Sequence, residues 1–61
     1  MDIALTLNEL ASSYHVEIYQ PVSDFIVSAT SYSRGQERFV GEASTIEGAL
    51  ENLLNVMASE D

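Results

Sequence analysis

The last third of the chain has the clearest pattern of apolar and polar positions. In STIEGALENLLNVMASED, apolar residues recur at steps of three and four, which places them on one face of an α-helix. These apolar residues are Ile46, Ala49, Leu50, Leu53, Leu54 and Met57. Ser44 and Glu47 have the spacing of a capping box, so the pattern predicts a helix over residues 45–58. Gly48 in this helix costs about 1 kcal/mol relative to alanine, which indicates a close neighbour there.

Three segments before this helix alternate with period two. YHVEIYQ, FIVSATSY and ERFVGEA are therefore predicted to be strands, separated by turn residues in PVSD and SRGQ. Because strands joined by short connections pair with one another, we expect a three-stranded antiparallel sheet with the helix on one face. The covered face should contain Val16, Ile18, Phe25, Val27 and Phe39. The other face should contain His15, Glu17, Tyr19, Ile26, Ser28, Thr30, Tyr32, Arg38 and Val40.

The first dozen residues fit two different structures. Thr6 and Glu9 form a second capping box, and Leu5 and Leu10 have the spacing of a hydrophobic staple, so these signals predict a short helix over residues 7–13. Residues 2–8 also alternate like a strand. The two capping signals agree on one start and favour the helix. The predicted fold is a single α+β domain over residues 1–61, with the element order αβββα.

The net charge of the chain indicates which classes of molecule it can bind. The 61 residues include ten acids and two arginines, which gives a formal net charge of -8 at pH 7. Such a chain repels phosphates, so we expect neither direct nucleic-acid binding nor binding to an anionic membrane. The charge instead favours a basic protein partner, for example a nucleic-acid-binding protein, although an acidic surface can also serve solubility alone. The sequence has neither a signal-peptide pattern nor an apolar run long enough to span a membrane, which predicts a cytoplasmic protein.

The sequence gives little indication of a catalytic or metal-binding site. There is no cysteine and only one histidine, so a disulfide framework and a zinc site are not expected. His15, Glu17 and Tyr19 share one strand face and could form an acid-base site, but a small sheet with two helices has little depth for a pocket. We therefore predict a non-enzymatic protein with no catalytic, cofactor-binding or metal-binding residues.

Two surfaces are candidates for binding a partner. An acidic surface could imitate the phosphates of a nucleic acid, and its candidate residues are Glu17, Asp24, Glu37, Glu42, Glu47 and Glu51. The sheet face that the helix leaves open could bind a partner or a second copy of the chain, with Tyr19, Tyr32 and Arg38 as anchors. Both surfaces also have a plainer interpretation, because solvated acids and a few exposed apolar residues are common on small proteins.

Both arginines lie in the segment SYSRGQERF. The strand pattern places Arg34 at a hairpin turn, where Gly35 provides a permissive backbone, and Arg38 on the open sheet face. If the partner is a basic groove, the arginines should lie away from it or pair locally with Glu37 or Glu17.

Two resemblances suggest functions. YHVEIYQPVSDFIVSATS and GEASTIEGALENLLNVM together resemble the sheet-and-helix unit of HicB-like antitoxin domains, in which a strand ending in glycine precedes a T-x-E-E-A-L-type helix. This resemblance implies an antitoxin or a small homodimeric interaction module. The whole chain, which is small, acidic, cysteine-free and predicted to be αβββα, is similar to inhibitors that bacteriophages encode against host machinery, including anti-CRISPR proteins. That resemblance implies an inhibitor that blocks a nucleic-acid-binding surface of a host protein such as a CRISPR-Cas effector.

Overall fold

A computed structural model describes residues 1–33 and 35–59 of the chain. The elements follow one another in the order α1 (Ile3–Ala11), β1 (Tyr14–Tyr19), β2 (Phe25–Ser31), β3 (Arg38–Ala43) and α2 (Ile46–Ser59). The predicted αβββα architecture, an α+β fold, is therefore confirmed. The expectation for Arg34 falls outside the described residues.

The three strands form one antiparallel sheet in the order β1-β2-β3. Val27 in the central strand lies opposite Ile18 on one side and Gly41 on the other. Because side chains alternate across a sheet, this register puts the predicted apolar positions on one face. Ile18 is nevertheless 42% exposed, since β1 is an edge strand and α2 packs mainly on β2 and β3.

Both helices pack on this same face of the sheet. The buried core takes residues from α1, β2 and α2, and they are Leu10, Val27, Ala29, Ala49, Leu50 and Leu53. Ile3, Leu7, Val16 and Phe39 are half-buried and pack against this core. Burial of these side chains is the main source of stability in a fold without disulfides.

The start of α1 differs from the prediction. The helix begins at Ile3, because the Asp2 carboxylate accepts a hydrogen bond from the Leu5 amide at 3.1 Å and caps the first turn. Thr6 therefore lies inside the helix, where its hydroxyl donates to the Asp2 carbonyl at 2.9 Å. Leu5 is 57% exposed and takes no part in a hydrophobic staple, so both capping signals and the strand alternative were wrong.

The start of α2 is shifted by one residue. Thr45 caps this helix, because its hydroxyl accepts from the Gly48 amide at 3.0 Å and its carbonyl accepts from the Ala49 amide at 2.9 Å. The predicted cap at Ser44 was therefore wrong. The close neighbour expected at Gly48 is confirmed, since a Cβ built there would lie 3.0 Å from the Ala43 Cβ.

Gly41 allows α2 to lie directly on β3. A Cβ at this position would lie 2.7 Å from the Leu53 Cα and closer still to the Ala49 carbonyl oxygen and the Leu53 amide nitrogen. Only glycine leaves room for so close a contact between a helix and a strand. In the connection between β2 and β3, Gly35 and Gln36 both have positive φ, at 70° and 60°, which confirms the turn expected at Gly35.

Candidate protein-binding surfaces

One face of the sheet points away from both helices, and we call it the open face. Its strand residues are His15, Glu17, Tyr19, Ile26, Ser28, Thr30, Arg38, Val40 and Glu42. Tyr19 and Val40 are 41% and 42% exposed, so aromatic and aliphatic surface remains in contact with water on this face. The open face therefore combines apolar area with charge, as expected of a surface that binds a protein.

A hydrogen bond crosses the open face between the two edge strands. The Arg38 Nη2 donates to the Tyr19 hydroxyl at 2.8 Å, and the register shows that this contact spans β2 diagonally. Within residues 1–33 and 35–59, Arg38 forms no ion pair, and its hydrogen bond goes to a tyrosine and not to Glu37 or Glu17, the local partners considered for a target with a basic groove. Two of the predicted anchors, Tyr19 and Arg38, are thus brought together.

Tyr32, the third predicted anchor, lies apart from the other two. It follows the last residue of β2, Ser31, and its hydroxyl donates to the Ala11 carbonyl at the end of α1 at 3.4 Å. Its amide also donates to the Ser13 carbonyl at 3.5 Å. Tyr32 therefore connects the end of β2 to the end of α1, although its side chain is 61% exposed.

Ser28 occupies the centre of the open face and yet is completely buried. It lies between Glu17 and Val40 in the register, in the part of the face that the Tyr19–Arg38 hydrogen bond crosses. Its hydroxyl finds no hydrogen-bond partner among the described residues. A buried hydroxyl in this state destabilises the fold, because it has lost its bonds to water and gained none in exchange.

Replacing Ser28 by alanine is expected to raise the free energy of unfolding by about 1 kcal/mol, because the uncompensated hydroxyl is removed. Ser31 provides the matched control, since it is also buried but its hydroxyl accepts from the Ser33 amide at 3.3 Å. Ser31→Ala should lower the free energy of unfolding by a similar amount, about 1 kcal/mol. Urea denaturation of the two variants measures both changes, and an equal loss in both would contradict the role given to Ser28.

Four of the six predicted acidic residues lie between residues 37 and 51: one directly precedes β3, one lies on the open face of β3 and two lie on α2. We call this group the acidic flank, and it consists of Glu37, Glu42, Glu47 and Glu51. All four are exposed. The Asn52 side-chain amide donates to the Glu42 carbonyl at 2.8 Å and so joins α2 to β3. The amino group of Met1 lies 3.4 Å from the Glu47 carboxylate and partly offsets its charge.

The other two predicted acids are separate from the acidic flank. Glu17 lies on β1, with its carboxylate 3.9 Å from the His15 Nε2. Asp24 directly precedes β2 and is half-buried. The six acids predicted from the sequence therefore lie on several parts of the fold, with Glu17 on β1, Asp24 before β2 and the acidic flank between residues 37 and 51.

The described residues offer no enclosed site for chemistry. Across residues 1–33 and 35–59, there is no pocket and no group of three side chains that could hold a metal ion. The His15 and Glu17 side chains are 64% and 57% exposed, so water surrounds the one acid-base pair considered above. Neither helix, over the part of the chain that is described, is long and apolar enough to cross a membrane.

Comparisons with known proteins found no relative of this chain. A scan against protein-family models, a search of curated proteins and a search of solved structures each found no match to this chain. The possible roles of the open face and the acidic flank therefore rest on the residues of this chain alone.

Proposed function

We propose that this protein is a non-enzymatic inhibitor that binds a basic, nucleic-acid-binding host protein through the acidic flank. The observation that carries the proposal is that Glu37, Glu42, Glu47 and Glu51 are all exposed, in a chain with a net charge of -8. The target class that fits this charge is a nucleic-acid-handling protein such as a CRISPR-Cas effector. An origin in a phage or mobile element and action in the host cytoplasm belong to the same proposal.

The chemistry of the acidic flank suits a groove that normally holds phosphates. Carboxylates accept the same charge-assisted hydrogen bonds from arginine and lysine that phosphates accept. Glu47 and Glu51 are one helical turn apart, about 6 Å along α2, so a rigid helix holds them at a fixed spacing. Complementary charge would also accelerate the encounter with a basic target.

A matched pair of charge reversals tests this function. Glu51 on α2 and Glu9 on α1 are both exposed helical glutamates, but only Glu51 belongs to the acidic flank. In a pull-down from a bacterial lysate, we expect the protein to capture a nucleic-acid-binding protein at low salt and to release it at high salt. Glu51→Lys should weaken this binding about tenfold or more, whereas Glu9→Lys should change it less than about twofold.

The captured protein allows a direct test of inhibition. After purification, it should release bound DNA or RNA when the inhibitor is added, because both ligands occupy the same basic site. Binding that does not depend on salt, or equal effects of the Glu51 and Glu9 reversals, would contradict a role for the acidic flank. A captured protein that keeps its nucleic acid in the presence of the inhibitor would contradict the mimicry.

The open face favours a second candidate function, an antitoxin-like or other small interaction module. Tyr19 and Val40 remain exposed there beside Arg38, which is a combination typical of the centre of protein interfaces. For this function, Tyr19→Ala should abolish capture of the partner, and Glu51→Lys should leave it unchanged. The same pull-down therefore separates the two candidates.

A further inference from the structure

The strand β1 forms one edge of the sheet, and the register identifies which of its backbone groups face outward. In an antiparallel pair, successive residues direct their N–H and C=O groups alternately toward the neighbouring strand and away from it. The Tyr32 amide donates to the Ser13 carbonyl at 3.5 Å, which continues the β1–β2 ladder by one residue pair. Counting from this pair, His15, Glu17 and Tyr19 are the β1 residues that hydrogen-bond to β2.

Two further hydrogen bonds agree with this alternation. The Ser31 amide donates to the Glu37 carbonyl at 2.8 Å, so Ser31 faces β3, and the residues of β2 that face β1 are the even-numbered ones. The Glu42 carbonyl, which the same alternation directs away from β2, accepts from the Asn52 side chain at 2.8 Å. The β1 residues whose N–H and C=O groups point away from the sheet are therefore Tyr14, Val16 and Ile18.

We call the outward N–H and C=O groups of these three residues the free edge. Within residues 1–33 and 35–59, no hydrogen bond outside the strand ladder reaches them. The strand Tyr14–Tyr19 contains no proline or lysine, and its register with β2 has no bulge, so it lacks the usual devices that keep another strand away. A row of unpaired donors and acceptors at this spacing is complemented by a second extended backbone.

The side chains of β1 indicate which extended segment fits. Val16 and Ile18 lie on the covered face, where Val16 is half-buried and Ile18 is 42% exposed. A strand added beside them should therefore place apolar side chains on that face. Glu17 lies on the open face with its side chain 57% exposed, so the residue opposite it should be lysine or arginine.

We propose that the free edge binds an extended segment of a partner protein as a fourth, antiparallel strand. In this segment, apolar residues lie opposite Val16 and Ile18, and a lysine or arginine lies opposite Glu17. Backbone hydrogen bonds supply the affinity in such strand addition, and alternate side chains supply the specificity. A second copy of the chain fits less well, because two copies with a net charge of -8 repel each other.

Synthetic peptides test the hydrogen bonding. An end-capped peptide of about eight residues that alternates valine and lysine should bind the labelled chain at low salt with a Kd below about 1 mM in an NMR titration. N-methylation of the valines should weaken binding about tenfold or more, because the valine amides face β1 in an antiparallel arrangement. N-methylation of the lysines should change it less than about twofold, since those amides face solvent. All three peptides carry the same charge, so general attraction to the acidic chain affects them equally.

Proline substitutions locate the binding edge. Ile18 on β1 and Val40 on β3 are both 42% exposed, and both direct their N–H groups away from β2. Edge strands tolerate proline at such positions. Ile18→Pro should weaken binding of the valine-lysine peptide about tenfold or more, whereas Val40→Pro should change it less than about twofold. Circular dichroism of both variants checks that they fold.

A charge reversal provides a test that does not depend on proline. Glu17→Lys should weaken binding of the valine-lysine peptide about tenfold and should strengthen binding of a valine-glutamate peptide. Glu42→Lys has the same charge change on the open face of β3, and it should alter binding of either peptide less than about twofold.

Four results would overturn the proposal. The valine-lysine peptide could fail to bind at millimolar concentration, or the two methylated peptides could be weakened equally. Weakening by lysine methylation alone would indicate a parallel strand. A dimer of the chain itself in sedimentation, lost in Ile18→Pro, would make the occupant a second copy. The inference does not rest on the proposed function, because Glu51→Lys removes charge from the acidic flank and should leave peptide binding unchanged.

Discussion

Replacing Gly41 by alanine is expected to remove most of the free energy of unfolding. The added Cβ would lie 2.7 Å from the Leu53 Cα and nearer still to two backbone atoms of α2, so the helix would have to move away from the sheet. We expect a loss of about 3 kcal/mol or more in the free energy of unfolding, from a total of roughly 5 kcal/mol for so small a domain. Urea denaturation followed by circular dichroism measures this change.

Gly35→Ala is the matched control for Gly41→Ala. A Cβ at Gly35 meets nothing within 4 Å, and its φ of 70° is the sole source of strain. This control should cost about 1 kcal/mol. Truncating Ala49 to glycine should not rescue Gly41→Ala, because the clash involves the Ala49 backbone oxygen. Equal effects at Gly41 and Gly35 would show that α2 does not pack against β3 as closely as described.

Replacing Leu53 by alanine should produce the second large effect. Leu53 is completely buried in the core between α2 and the sheet, so the substitution removes buried area and leaves a cavity. We expect a loss of about 3 kcal/mol in the free energy of unfolding. The neighbouring Leu54 is only half-buried, and Leu54→Ala should cost roughly half as much.

Thermal and urea unfolding of the two leucine variants measure this difference under the same conditions. Both substitutions change helix propensity equally, since each replaces leucine by alanine within α2. A larger effect at Leu54 than at Leu53 would mean that α2 presents a different face to the sheet.

The order of the helices and strands, and the side of each that is buried, could be predicted from the sequence. This is because the spacing of apolar residues differs between helices and strands and marks the buried side of each. The same reasoning failed at the start of α1, where Thr6 and Glu9 imitate a capping box that the chain does not use. The decisive signal was the spacing of Ile3, Leu7 and Leu10, which places three core-facing residues on one side of a helix capped by Asp2. A capping motif is local, whereas the packing of that apolar stripe determines where the helix begins.

The candidate surfaces were only partly predictable. Alternation along a strand determines which face Tyr19 and Arg38 share, but only the pairing register shows that their side chains meet across β2. The same alternation assigned Tyr32 to the open face. However, β2 ends at Ser31, and the Tyr32 hydroxyl contacts the end of α1. The special role of Gly41 depends on where α2 crosses β3, which no local pattern specifies.

The hydrogen bond from Asn52 to the Glu42 carbonyl affects how the sheet can be extended. Edge strands expose backbone groups that can recruit further strands and lead to aggregation. The Asn52 amide already occupies one such group on β3, and any strand that added there would have to displace it. Elongation of the sheet into fibres by addition of a further strand is thereby opposed on the β3 side.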